Sequence, residues 1–328
     1  MRAAIYERTG PAREVLKLVD LPDPEPAAGE VRVRMQWSGI NPSDVKTRAG
    51  ARPTATPFPR VPHSDGMGTI DKVGAGVDRS RIGEQAWLWN AAWDGRTMGT
   101  AAQFVTLPSA QAVALPQGVP GDAAACFGIP ALTALHAVRT DGGVQGKTVL
   151  VAGGAGSVGH YAIQFAHLAG ATRIIATVSS AAKAELARAA GAHEVVNYRD
   201  EDVAQSVMAL TGGAGVDRVV EVDIAGNAKF DTALTRRGGE WVVYGTNATP
   251  FQLDFGPLIA NNLRLTFFMV YHLKPEERLA AIDQLHGWLA GGKLQHNIAM
   301  RLPLQEVARA HEIVECGEAT GNVVLHLD

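Results

Sequence analysis

Six residues near the middle of the chain, Gly154-Ala155-Gly156-Ser157-Val158-Gly159, follow the pattern GxGxxG. Before them Thr148–Gly153 reads as an apolar strand. After them Val158, Ala162, Phe165 and Ala169 recur at spacings of 4, 3 and 4, the buried stripe of a helix that Gly170 stops. A glycine loop between strand and helix suits one chemistry in particular. The first glycine allows the tight turn, the second lets a pyrophosphate approach the backbone, and the third lets helix and strand pack closely. The helix N-terminus then offers N–H groups and a partial positive charge to the phosphates.

About 20 residues beyond such a loop, an NAD site carries an acidic residue for the ribose 2′-OH. Here the stretch reads Thr177-Val178-Ser179-Ser180-Ala181-Ala182-Lys183, and no carboxylate comes before Glu185. Two hydroxyls and an ammonium suit a 2′-phosphate, so NADPH is the expected cofactor. A second reading stands beside it, in which Ser179 and Ser180 cap a helix and Lys183 is a solvated charge.

The elements around the loop must position it. Thr148–Gly153, Arg173–Val178, Glu194–Tyr198, Arg218–Val222, Glu240–Tyr244 and Arg264–Val270 are six short apolar runs, mostly separated by helical stretches such as Lys183–Ala190. Uninterrupted Val and Ile between helices mark strands buried on both faces of a parallel, doubly wound sheet. The first 115 residues differ. Val31–Trp37 alternates as a half-buried strand does, and prolines at 22, 24, 26, 42, 53, 57, 59 and 62 cut the region into short β segments, as in a small barrel. After Tyr271 come a helix over Pro275–Ala290, another around Leu304–Glu315, and a last strand, Asn322–Leu327, expected to return to the N-terminal β domain. The expected fold is α/β, a Rossmann doubly wound sheet inserted into a discontinuous β-rich domain, with residues 1–120 and 272–328 in one domain and 121–271 in the other.

Composition narrows the partners. With 30 Lys plus Arg against 33 Asp plus Glu, a net charge of −3 gives no basis for nucleic-acid binding. Two cysteines, Cys126 and Cys316, are too few for a disulfide framework or a thiolate zinc site. The opening MRAAIYERTG has no signal-peptide core, and no apolar run reaches the ~18 residues of a membrane span, so a cytoplasmic location is expected. Three tryptophans within Trp87–Trp93 suit the wall of a flat ligand pocket, or equally the closed base of the β domain or a contact surface.

With these residues placed, the chain resembles the medium-chain dehydrogenase/reductase superfamily, in its zinc-free quinone oxidoreductase (zeta-crystallin-like) branch. The resemblance rests on Gly39-Ile40-Asn41-Pro42-Ser43-Asp44, Pro62-His63-Ser64-Asp65-Gly66, Gly128-Ile129-Pro130-Ala131-Leu132-Thr133-Ala134, the glycine loop, Gly191–Arg199 and Ala319-Thr320-Gly321-Asn322. The positions that hold catalytic zinc in the superfamily's alcohol dehydrogenases are here Asn41, Ser64 and Ile129, so no metal is expected. The resemblance implies NADPH-dependent reduction of quinones or α,β-unsaturated carbonyls in the cleft between the domains, with Asn41 beside the nicotinamide and Thr133 near the cofactor. It further implies a GroES-like β-barrel for the β-rich domain, and a Tyr198 that approaches the adenosine 2′-phosphate or adenine. Asn227, Tyr244-Gly245-Thr246-Asn247 and Phe267-Phe268-Met269 would line the cofactor, and a homodimer would pair Arg264–Val270 across a two-fold. Each has a plainer reading as a strand-end aromatic, core or turn.

Two departures bear on the site. Lys46 stands where a pocket tyrosine is common, and either donates to an oxyanion or points to solvent. Asn322 replaces a lysine, which removes one phosphate contact. Ser43, at the position of a proton-relay hydroxyl, forms with Asp44 a pair that reads better as a turn cap. An enoyl-thioester reductase and a non-catalytic NADPH-binding protein are the rival readings.

Overall fold

The structure, a computed structural model, describes residues 1–52 and 54–327; Pro53 and Asp328 lie outside the described residues. The chain forms two compact units, Met1–Pro130 with His286–Asp328, and Ala131–Leu285.

In the first unit a seven-stranded sheet is organised by one long strand, Glu30–Ile40. One edge of it pairs antiparallel with Asp65–Val73. The other edge is shared: Phe104–Pro108 pairs with residues 30–34, and the C-terminal strand Asn322–His326 with residues 37–40. Two partners on one edge force the sheet to curl, which gives the barrel-like core built on Val31, Val33, Ile70, Leu88, Val105, Leu107 and Leu325. The late strand therefore does close the N-terminal domain, as its position after the last helix suggests.

The second unit holds a six-stranded, all-parallel sheet in the order Glu194–Asn197, Arg173–Val178, Thr148–Val151, Val216–Glu221, Thr235–Val243, Arg264–Phe267. Numbered by sequence this is 3-2-1-4-5-6, the doubly wound order. The apolar runs are buried as that order requires, with Val149, Leu150, Ile174, Ile175, Val219, Val220, Trp241 and Val242 all out of solvent. The edges of these elements differ from the sequence reading by a few residues. Thr148–Val151 stops before Gly153, whose φ of 67° turns the chain out of the sheet.

The chain passes between the units at Pro130/Ala131 and at Leu285/His286. A π-helical turn over Phe127–Ala131 ties itself to the first unit through the Ile129 N–H, which donates to Asp65 Oδ2 at 3.1 Å. The helix Pro275–Ala290 begins in the second unit, where buried Arg278 donates to the Val270 carbonyl. An ion cluster holds that unit's sheet to the helix Leu132–Arg139. Arg218, fully buried, reaches Glu240 at 2.7 Å and donates to the carbonyls of Ala137, Val138 and Thr140.

Candidate functional site

In the second unit the glycine loop lies where its sequence context puts it, between Thr148–Val151 and the helix Ser157–Leu168. Gly156 is the N-cap and has no side chain to cap with. Gly156 is exposed, Ser157 and Val158 are half-buried, and Ala155 is buried beneath them. Gly154 and Gly159 serve packing: a Cβ on Gly159 would stand 2.2 Å from the Gly153 carbonyl oxygen.

At the end of the neighbouring strand Arg173–Val178, Lys183 Nζ donates to Ser179 Oγ at 2.9 Å. Ser180 caps the next helix by accepting from the Lys183 N–H. The cap therefore belongs to Ser180 alone, while Ser179 pairs with the Lys183 ammonium. Tyr198 is 49% exposed, and its N–H donates to the Val178 carbonyl, which sets it next to Ser179.

The other expected cofactor residues sit at the carboxyl ends of the later strands. Asn227 donates its amide to Glu221 Oε1 at 2.9 Å. The Asn247 N–H donates to Asp223 Oδ1 at 2.8 Å, and Thr246 Oγ1 to the Ala248 carbonyl at 2.9 Å. Gly245 is more than a turn, since a Cβ there would lie 2.3 Å from the Val222 carbonyl oxygen. Tyr244 is raised above the ordinary phenol range by burial and then by the Glu221 charge. Phe268 packs against His136 at 4.5 Å and Tyr244 at 6.4 Å between ring centroids. Its neighbours Phe267 and Met269 are exposed. Thr133 is buried in the first turn of Leu132–Arg139.

Beneath this rim lies a carboxyl pair that sequence reasoning missed. Glu221 and Asp231 are both fully buried. Burial, and then the charge of Glu221, raises Asp231 well above the carboxylate range, so Asp231 is the proton-bearing partner. Burial also raises Glu221.

In the first unit Asn41 N-caps the helix Pro42–Ala49 in a capping box with Asp44: the Asn41 side chain accepts from the Asp44 N–H, and the Asn41 N–H donates to Asp44 Oδ2 at 2.8 Å. Asp44 is therefore a capping residue, with Asn41 as its partner. Burial pushes the Asp44 carboxyl up to about 7, against the pull of its hydrogen bonds to Asn41 and the Arg52 charge. Asn41 Nδ2 donates to Asp65 Oδ2 at 2.9 Å, and the same oxygen accepts from the Ile129 N–H. Asp65 thus clamps two distant segments through one buried carboxylate oxygen. Lys46 is exposed, and its carbonyl accepts from the Arg52 N–H. The Arg52 guanidinium sits over the Trp93 ring at 4.9 Å. Trp87 is core: it is fully buried, edge-on to Phe127, and its Nε1–H donates to His286 Nε2 at 3.2 Å.

Residues 27–117 match the alcohol dehydrogenase GroES-like domain family, and residues 157–286 match the zinc-binding dehydrogenase family. A quinone oxidoreductase of Pseudomonas aeruginosa is 33% identical over 319 residues, covering 95% of each chain. The crystal structure of Escherichia coli quinone oxidoreductase complexed with NADPH has a TM-score of 0.90 at 27% identity, covering 100% of both chains. A structure described as an NAD-dependent alcohol dehydrogenase has a TM-score of 0.91 at 31% identity, again covering 100% of both chains. A GroES-like unit and a doubly wound unit with a glycine loop define the architecture of the medium-chain dehydrogenases and reductases. The chain belongs to that superfamily, within its quinone oxidoreductase branch, and is an oxidoreductase.

Two groups implied by the family can be tested against the residues present. Zinc does not fit. An amide (Asn41), a hydroxyl (Ser64) and an aliphatic side chain (Ile129) are not a zinc ligand set, and the Asn41 amide is already bound to Asp65. Among the described residues, no three His, Cys, Asp or Glu side chains cluster to hold a metal. A dinucleotide fits. The exposed N-terminus at Gly156 and the Ser179–Lys183 pair offer donors to phosphate beyond the carboxyl ends of two neighbouring parallel strands. Among the described residues no helix is long and apolar enough to cross a membrane.

Proposed function

We propose that this chain is an NADPH-dependent, zinc-independent reductase of quinones or α,β-unsaturated carbonyls. The observation that carries the reading is Asp65 joining Asn41 to the Ile129 backbone, in place of the thiolate ligands a catalytic zinc would need. NADPH supplies the hydride. Such an acceptor is already electron-poor at carbon, so the protein need only orient it, exclude water and donate to the oxygen that gains charge. The capping box and the Asp65 bond use the Asn41 oxygen and one of its two Nδ2–H groups. The second Nδ2–H is the donor we assign to the substrate oxygen. Lys46 is exposed on the same helix and suits an acceptor with an anionic substituent. Preference for NADPH over NADH is supported by Ser179 and Lys183, with Tyr198 beside them.

A cytoplasmic homodimer is part of this reading. Self-pairing is supported by the outer edge of Arg264–Phe267, which ends the sheet and carries exposed Phe267, and by Phe255 at 72% and Ile259 at 58% exposure just before it. Light scattering of the purified chain tests the dimer, and cell fractionation the location. The function is tested by following oxidation of NADPH and of NADH by chelator-washed protein with a benzoquinone, a short enal, an enoyl-CoA and, in reverse, a primary alcohol. Quinone or enal turnover with NADPH is expected. Turnover restricted to the enoyl-CoA, zinc-dependent alcohol oxidation, or tight NADPH binding with no turnover would each replace the reading with one of its rivals.

A further inference from the structure

Four buried side chains of the first unit form a single line that ends at the Asp65 clamp. His311 Nε2 lies 2.9 Å from His63 Nε2, with the two rings stacked at 5.1 Å between centroids. His63 Nδ1 is 2.8 Å from Ser38 Oγ, and Ser38 Oγ is 2.7 Å from Thr100 Oγ1. Thr100 Oγ1 donates to the Asp65 backbone carbonyl. Exposure is 0% at Ser38, Thr100 and His311, and 1% at His63, so the line is closed off from bulk solvent. The four come from separate segments: the Glu30–Ile40 strand, the turn before Asp65, the loop before Phe104, and the helix Val307–Cys316. His63 also holds a left-handed φ of 76°, which a non-glycine residue keeps only when its surroundings impose it.

Proton accounting gives the line a direction. A carbonyl only accepts, so the single Thr100 hydroxyl proton goes to Asp65. Ser38 must then donate to Thr100 and accept from His63 Nδ1–H. Burial keeps His63 neutral, so its Nε2 is a bare acceptor and takes the proton of His311 Nε2–H. His311 Nδ1 is left as a buried lone pair with no hydrogen-bond partner, the cheaper of the two atoms to strand.

Resting on the reading that Asn41 serves the reaction, we propose that His311 and His63 are positioning residues. They form a one-way hydrogen-bond chain from the last long helix to Asp65, and it holds the Asp65–Asn41 clamp in place. His63 is the Nδ1–H tautomer and His311 the Nε2–H tautomer. Neither touches substrate; both act through Asp65.

Nitrogen-resolved NMR of the imidazoles in the full chain reads the tautomers directly, and the Asn41 side-chain NH2 signals report the clamp without any turnover. His311→Leu removes the first donor, whereas His311→Gln keeps an N–H at similar reach. The Leu variant is expected to shift the Asn41 signals and to lower kcat about tenfold, the effect of one lost buried hydrogen bond, with KM for NADPH unchanged. The Gln variant should restore both. Should His311→Leu fail to fold, Thr100→Val and its rescue by Thr100→Ser ask the same question. Wild-type His63 protonated at Nε2, or Leu and Val variants with unmoved Asn41 signals, would overturn the proposal. Absence of turnover in the wild type with any acceptor would instead overturn the functional reading, and the NMR signals would still decide the chain.

Discussion

Gly159→Ala adds one methyl group at the point where helix and glycine loop touch. The new carbon would stand 2.2 Å from Gly153 O, 2.9 Å from Gly153 C and 3.0 Å from Gly154 Cα. All three are backbone atoms, so none can rotate away. A relaxed contact is about 3.5 Å, so helix start and loop must part by roughly 1 Å. Overpacking of this kind costs about 1–3 kcal/mol. A displacement of roughly 1 Å in a positioned site also costs ~100-fold in kcat/KM. Gly156→Ala is the control. Gly156 is exposed at φ −74° and ψ 173°, where alanine is allowed, and its nearest atom is 3.2 Å away. It should leave the fold intact and weaken only NADPH binding, because its methyl group would crowd the exposed start of the helix. Thermal melts and NADPH fluorescence titrations separate the two effects. A Gly159→Ala protein that melts and binds NADPH like wild type would refute the reasoning.

Three further outcomes follow from other parts of the structure. Arg218→Met leaves Glu240 buried with only its Lys147 and Arg264 partners and strips the carbonyls of Ala137, Val138 and Thr140. It should cost about 3–5 kcal/mol in urea unfolding, and an unchanged midpoint would show that the cluster carries no net stability. Ser179→Asp combined with Lys183→Ala removes two donors and adds a like charge to a 2′-phosphate; Kd for NADPH should rise tenfold or more (roughly the worth of a charge-assisted hydrogen bond) with NADH binding unharmed, and a parallel loss for both would rule out phosphate recognition there. Asp44→Asn tests the carboxyl that burial pushes up to about 7 from 3.8. A raised carboxylate keeps its proton in the folded state while the unfolded chain loses it, so wild-type stability falls as pH rises between about 4 and 7 and is level above. The Asn variant should therefore gain on wild type across that window, and a pH-independent difference in melting temperature would show that Asp44 titrates normally.

The doubly wound sheet was legible in the sequence because burial on both faces writes a strand as an uninterrupted apolar run, and Arg173–Val178 was readable to the residue. Helix Pro275–Ala290 was equally clear, with proline at its start and a two-glycine stop. The clamp was not legible. Asp65 lies 24 positions from Asn41 and 64 from Ile129, and what brings them together is the antiparallel pairing of Gly39 with Asp65, a register no local pattern encodes. Glu221 and Asp231 were hidden for the same reason, since a carboxyl pair is visible only once strand and helix are packed. Trp87 shows the converse. Its spacing from Trp89 and Trp93 suited a pocket wall, the base of the β domain or a contact surface alike, and only the burial of Ala86, Trp87 and Leu88 together puts it in the core. Arg52, which lies over Trp93, carried no signal at all, because a cation is ordinarily read as solvated surface.

On the zinc-free reading proposed above, Asp65 accounts for how the site is held together without thiolates. A zinc ion does two jobs: it joins its ligand segments, and it polarises the substrate oxygen. The first can be taken over by a buried carboxylate oxygen that receives an amide N–H and a backbone N–H, at 2.9 Å and 3.1 Å, in surroundings where such bonds are strong. The second cannot, because a neutral amide N–H is a much weaker acid than a metal ion. A site built this way retains its geometry but loses most of its power to stabilise an alkoxide. Hydride acceptors whose own conjugation spreads the negative charge, quinones and enones, are the substrates that lose least by the exchange. On that reading the residue that holds the geometry is Asp65, a carboxylate outside the positions where zinc ligands would be sought.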